Sequence, residues 1–201
     1  NARAIAALTG DATAVKTALA SSGITTVTNN SLAVNVNSGT ASVADINIIN
    51  ADSATGIVTA TATETAAGTL TGLTTTDTDA ITVTMAAAST AAADLNTIDG
   101  KTSVTVGATA ITELTGNATD VKTALASSGI TTVTNGSLAV NVNSGTASVA
   151  DINTINADSA TGIVTATATE TAAATLIGLT TTGTDAITVT MAAASTAAAD
   201  L

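Results

Sequence analysis

The chain has 201 residues and a net charge of −11, set by 15 acidic residues against four basic ones, Arg3, Lys16, Lys101 and Lys122, and it contains no aromatic residue, proline, histidine or cysteine. That inventory excludes a disulfide framework, thiol or imidazole catalysis and cysteine-ligated metal, and the charge repels nucleic-acid phosphates and anionic lipid surfaces. With 45% hydrophobic residues and a mean hydropathy of +0.49 the chain is too apolar for a disordered linker, yet it must build its core from small Ala, Val, Ile and Leu side chains.

The first residues, NARAIAALTGDATAV, lack the unbroken apolar stretch of a secretory leader, and no run of 18 apolar residues follows anywhere. Membrane insertion is therefore not expected, and any secretion would be directed from outside this segment. Ala12, Val15 and Ala18 then open a pattern of small apolar residues three apart, which places them on one side of a short helix. A β-branched run, GITTVT from Gly23, reads as a strand. Val43, Ile46 and Ile49 repeat the helical pattern, with Ser42 three residues before Asp45 as in a capping box. A strand is expected in GIVTATAT from Gly56. Next come a helix at Ala67, Leu70 and Leu73, a strand in DAITVTM from Asp79, a helix at Ala92, Leu95 and Ile98, and a strand in SVTV from Ser103. Shorter β-branched runs stand in AITEL from Ala110 and SLAVNV from Ser137, and Asn117 precedes Asp120 as a second capping box.

After residue 106 the chain begins again. Val15 and Val121 head identical segments, VKTALASSGITTVTN, and residues 1–95 overlay on 107–201 without a gap, differing only at positions 1, 3, 6, 7, 11, 14, 30, 48, 68, 71 and 77. The expected organisation is thus a first repeat over residues 1–106 and an incomplete second repeat over 107–201, both with one fold. Within them the central apolar residues Val15, Ile46, Leu70, Leu95, Val121, Ile152, Leu176 and Leu201 follow one another at 24 to 31 residues. One helix-turn-strand unit cannot bury its own apolar face, so stacking is required. The fold expected from this spacing is a repeat solenoid, a parallel β-solenoid with a short helix in each coil of about 25 residues. An all-β parallel β-helix is the alternative.

The segment STAAADLNTIDGKTSVTVGATAITELTGNATDVKTAL, from Ser89 to Leu125, resembles repeats of the giant cyanobacterial cell-surface proteins of the swimming-associated, β-strand-repeat type, which carry comparable A-A-[DE]-L-N-T-[IL]-D-G stretches. The resemblance implies an extracellular structural or adhesive role at the cell surface and brings no catalytic residues with it. The stretch SGITTVTNGSLAVNVNSG departs from that pattern.

Candidate chemistry is sparse. Asp45, Asp94, Asp151 and Asp200 share one register, with Asn47, Asn96 and Asn153 two residues after the first three, and such oxygen ligands could hold Ca²⁺ in an adhesin-like module. Acids in a first helical turn are equally favoured by the helix dipole alone, so no metal or cofactor is expected. Gly100-Lys101 lacks the flanking residues of a phosphate loop, and no catalytic residue can be named, so the chain is not expected to be an enzyme. Thr pairs at Thr26 and Thr28, Thr59 and Thr61, Thr82 and Thr84, Thr132 and Thr134, Thr165 and Thr167, and Thr188 and Thr190 would share one face of a sheet. A regular lattice of them would suit ice binding, and the plainer alternative is an ordinary β-branched surface. Because Leu201 is the counterpart of Leu95, the second repeat lacks the equivalent of Asn96 to Val106. The expected partner is therefore the chain itself, through axial stacking of copies into a homo-oligomer or filament.

Overall fold

The computed structural model describes residues 5, 7–23, 32–37, 39–53, 55–132, 138–159 and 161–193. In chain order they form β1 (Ala7–Gly10), α1 (Ala12–Leu19), β2 (Ala33–Val36), α2 (Val43–Ser53), β3 (Val58–Thr61), α3 (Ala67–Leu70), β4 (Ala80–Thr82), β5 (Ser89–Ala91), α4 (Ala92–Asp99), β6 (Val106–Gly107), β7 (Glu113–Gly116), α5 (Ala118–Ala126), β8 (Ile130–Thr131), β9 (Ala139–Val142), α6 (Val149–Ser159), β10 (Val164–Thr167), α7 (Ala173–Leu176) and β11 (Ala186–Thr188).

The helices start where polar side chains take the first free N–H groups. Asp11 Oδ1 accepts from Ala14 N at 2.9 Å ahead of α1, and Asn117 Oδ1 accepts from Asp120 N at 2.9 Å ahead of α5, so the Asp-to-Asn difference between the repeats keeps the cap. Ser42 and Ser148 do the same for α2 and α6, accepting from Asp45 N and Asp151 N at 3.1 Å. Each of these two helices also has its first N–H held by a distant carboxylate, Val43 N by Glu64 and Val149 N by Glu170, both at 3.0 Å.

Two compact units result, one built from residues 1–86 and 97–108, the other from 87–96 and 109–201. In the first, β1, β2, β3 and β4 lie side by side in that order, all parallel. Leu8 pairs with Val34, Val34 with Val58 and Ala60 with Ile81. Val34, Val58, Ala60 and Ile81 are buried, as are Val15 of α1 and Ile46 and Ile49 of α2, so the core lies between the sheet and its helices. The second unit repeats this arrangement with five parallel strands in the order β11, β10, β9, β7, β5, where Thr90 pairs with Leu114, Leu114 with Val140, Val140 with Val164 and Ala166 with Ile187. Val121, Ile152 and Ile155 supply its helical side of the core.

This is a mixed α/β protein with separate open parallel sheets, and it corrects the solenoid expectation. Five of its helices run 8 to 11 residues, longer than the strands they connect, and seven helices stand among the described residues, which also overturns the all-β parallel β-helix. The physical reason is the crossover. Parallel strands need a long connection, and a helix provides one that also covers the sheet, so each period of about 25 residues gives one strand and one helix in two layers. Repetition alone does not distinguish that from a closed coil, and the rod and filament that a solenoid would have built lose their structural basis.

The central residues Val15, Ile46, Leu70, Leu95, Val121, Ile152 and Leu176 are all buried. Leu201, Arg3, Thr26, Thr28, Thr134, Asp200 and the body of the strand expected after Gly23 lie outside the described residues. Of SVTV only Val106 enters a strand, and AITEL contributes only Glu113 and Leu114 to β7. One close approach fixes the geometry of each unit. A Cβ on Gly56 would sit 1.9 Å from the Leu32 carbonyl oxygen, and one on Gly162 would sit 1.9 Å from that of Leu138, so only glycine fits.

Candidate functional site

A polar cleft recurs in both units, built from the same six positions 106 residues apart. In the first unit Asn50, Thr55, Gly56, Thr76, Thr78 and Asp79 line about 260 Å³. In the second, Asn156, Thr161, Gly162, Thr182, Thr184 and Asp185 line about 220 Å³. The end of α2 or α6, the glycine turn before β3 or β10 and the threonine turn before β4 or β11 meet there.

The carboxylate at the cleft is tied into the backbone. Asp79 Oδ1 accepts from Val58 N at 2.8 Å, and Oδ2 accepts from Thr76 N at 2.9 Å. Asp185 repeats both contacts, with Val164 N at 2.9 Å and Thr182 N at 2.7 Å. Burial pushes the Asp185 carboxyl up, but the N–H groups of Val164 and Thr182 and the Thr182 hydroxyl outweigh it and hold the group below the usual carboxylate range. Thr76 and Thr78 share a hydroxyl hydrogen bond of 2.8 Å, and Thr182 and Thr184 one of 2.7 Å. The clefts therefore offer hydroxyl, amide and carboxylate groups, with the Thr76 hydroxyl 3.4 Å from Asp79 Oδ2 and the Thr182 hydroxyl 3.1 Å from Asp185 Oδ2, and both acids are engaged in holding turns.

The calcium candidates are drawn into other work. Asp45 pairs with Lys16 and Asp151 with Lys122, each lysine lying 29 residues earlier. Lys16, with burial acting in the opposite sense and Ser42 adding to the lysine, holds Asp45 below the usual range. Lys122 and then Ser148 do the same for Asp151. Asp94 lies in the first turn of α4, and Asp200 is outside the described residues. Among the described residues no three of Asp and Glu gather as metal ligands.

The asparagines after these acids act as clamps. Asn47 donates to the Gly72 carbonyl at 2.8 Å and accepts from Thr74 N at 2.9 Å. Asn153 makes the same two bonds to Gly178 and Thr180, at 2.8 and 2.9 Å. Asn96 donates to the Asp120 carbonyl at 3.1 Å, while its buried Oδ1 has no hydrogen-bond partner among the described residues. Lys101 follows α4, and its carbonyl accepts from the buried Thr75 hydroxyl at 2.8 Å.

The threonine pairs form a narrow face. Thr61 stands beside Thr82 and Thr167 beside Thr188, but Thr59 stands between Asn35 and Ala80, and Thr165 between Asn141 and Ala186. The shared row is two strands wide in each unit. Sequence reasoning missed the roles of Asp79, Asp185, Glu64, Glu170 and Thr102. The available signal was their placement just outside the apolar periods, each in a spot where a backbone N–H would otherwise lack a partner.

Comparison of the chain with protein-family models, curated proteins and solved structures returns no match in any of the three. No helix among the described residues is long and apolar enough to cross a membrane.

Proposed function

We propose that this protein is a non-catalytic structural or adhesive repeat that works outside the cell. The observation that carries this reading is the use made of its polar side chains: Asp11, Ser42, Asn47, Glu64 and Asp79 each hold a backbone group, and the counterparts Asn117, Ser148, Asn153, Glu170 and Asp185 hold the matching groups. An active site would be needed once, whereas a duplicated set of structural bonds multiplies a folded surface. The acidic charge suits a hydrated exterior and opposes binding to nucleic acid. The resemblance of Ser89 to Leu125 to cell-surface repeats points the same way. The matched polar clefts at Asp79 and Asp185 are the candidate contact points for a surface ligand.

Antibodies against the 201-residue chain test this directly. They should label intact cells of the source organism, and brief external protease treatment should remove the label. Label that appears only after permeabilisation would overturn the extracellular assignment.

A further inference from the structure

One side of each parallel sheet packs on its helices, and the other is bare among the described residues. Val34, Val58 and Ala60 are buried against α1 and α2, so by strand alternation Asn35, Thr59 and Thr61 turn outward. Asn35 and Thr61 are exposed and Thr59 is half-buried. Strand pairing sets the outward side chains in rows. Thr9, Asn35, Thr59 and Ala80 stand side by side across the first sheet. Thr115, Asn141, Thr165 and Ala186 repeat that row across the second. An isoleucine lies on the same side two residues before the threonine of β3 or β10, and both Ile57 and Ile163 are 51% exposed.

Two properties set this face apart from the rest of the surface. Parallel sheets are ordinarily covered on both faces, whereas here the described helices supply one layer. The second property is charge. In a chain of net charge −11 the rows carry no charged residue, and the described outward side of the second sheet adds Glu113, which accepts from the Ser89 hydroxyl at 2.8 Å. Acids gather on the helical side instead, as Asp45 and Asp52 do on α2 and Asp151 and Asp158 on α6. Two copies meeting through their helices therefore repel, and two meeting through their bare sheets do not. A charged partner finds no counter-ion on the rows, and a flat carbohydrate finds no aromatic ring to stack on, since the chain has none.

We propose that the bare sheet face is a contact surface for a second copy of this chain, packed face to face. The rows fix the orientation. With a two-fold axis running along the strands, the strand directions of the two sheets agree, so Ile57 meets Ile57 and each threonine–asparagine row meets itself, as in aligned sheet packing. Opposed strands would set Ile57 against the Thr61 row. A face of four strands and three rows measures about 19 by 17 Å, so one pair of faces buries about 600 Å² in total. The faces of both units together give about 1,200 Å², the lower bound of a specific interface, so the contact is weak and concentration-dependent. This surface is independent of where the protein resides, so its failure would leave the extracellular proposal standing.

Sedimentation of the 201-residue chain from about 1 μM to about 1 mM tests it. A reversible monomer–dimer equilibrium is expected, strengthened by added salt, which screens the repulsion between copies. Thr61→Glu with Thr165→Glu puts a charge on each face close to its own two-fold mate and should weaken dimerisation at least about tenfold. Ala44→Glu with Ala150→Glu adds the same net charge at exposed positions of α2 and α6 and should weaken it by less than about threefold. All four sites are exposed, and unchanged circular dichroism verifies that both variants fold. Ile57→Ala with Ile163→Ala, which only trims half-exposed side chains, should weaken the dimer about threefold or more. A chain still monomeric at about 1 mM would overturn the proposal. So would a dimer that the threonine and isoleucine variants leave intact, which would move the contact to another surface. A monomer that binds insoluble neutral polysaccharide and loses it in the Thr61→Glu, Thr165→Glu variant would also overturn it and give the face to a carbohydrate.

Discussion

The strand β4 and its repeat β11 are the same three residues, Ala-Ile-Thr, in the same seven-residue context, yet Ile81, Val83 and Met85 are core and Val189 and Met191 are surface. Local sequence decides that both segments are extended and which side chains alternate. Burial is decided elsewhere, by whether a segment like Lys101–Gly107 is seated along the outer edge. The difference shows that an apolar residue in a repeat protein belongs to the core only together with its neighbour.

Truncating matched residues should break the symmetry most visibly. Ile81→Ala should destabilise the first unit by about 2–5 kcal/mol, and Ile187→Ala the second by well under half as much, because the half-buried site loses less contact and leaves no closed cavity. Urea melts of both variants check this, and equal losses would mean that the two edges are equivalent in solution. Glycine serves as the opposite control. Gly56→Ala and Gly162→Ala place a methyl against backbone oxygen in both units, so each should cost about 1–3 kcal/mol or more, with no difference between them.

Thr102→Val separates the hydroxyl from the shape of the covering segment. It deprives both Ile81 and Val104 of a polar partner, and a loss of about 1–3 kcal/mol confined to the first unit is expected. A hydrogen-exchange experiment should show faster exchange at Ile81 and no change at Ile187. Acid should act on the two units more evenly. The carboxyls of Asp45, Asp151 and Asp185 titrate below the usual range in the folded chain, so each contributes stability that is fully present above the unfolded pKa, about 3.9. That contribution is lost as pH falls through the folded values, and melts between pH 5 and pH 2, which bracket the carboxylate range, should show it. The smallest effect belongs to the half-exposed ion pairs: Lys16→Met and Lys122→Met should each cost about 0.5 kcal/mol, and less in high salt.

Helices were the most legible elements. Apolar residues three apart together with Ser42, Asn117 and their partners three residues on locate α2 and α5 because both signals are local. The strand β5, in STAAAD, was hidden, since a single Thr between Ser and Ala makes no β-branched run, and the strand is held by the pairing of Thr90 with Leu114 across 24 residues. The solenoid expectation failed for a related reason: spacing counts residues per repeat but not how many of them a helix takes. The shared register of the candidate acids left a calcium row and plain helix-start acids as alternatives, and sequence spacing did not show that Lys16 and Lys122, each 29 residues earlier in the chain, claim two of them. The repeats themselves record what the fold tolerates. At every described position where the copies differ, among them Ile48 with Thr154 and Asp77 with Gly183, neither residue is buried.

The interleaving of the two units bears on how the chain comes off the ribosome. Residues 87–96 belong to the second unit, although they are made before residues 97–108, which complete the first. β5 must therefore wait, unpaired, until Glu113 to Thr115 emerge, while Lys101–Gly107 closes the first unit in the interval. At an elongation rate of about 5–20 residues per second, that wait lasts about a second or more. A gene cut at the 106-residue period would part β5 from its sheet, so two halves made separately would not be two domains but one unit with a surplus strand and one with a vacancy.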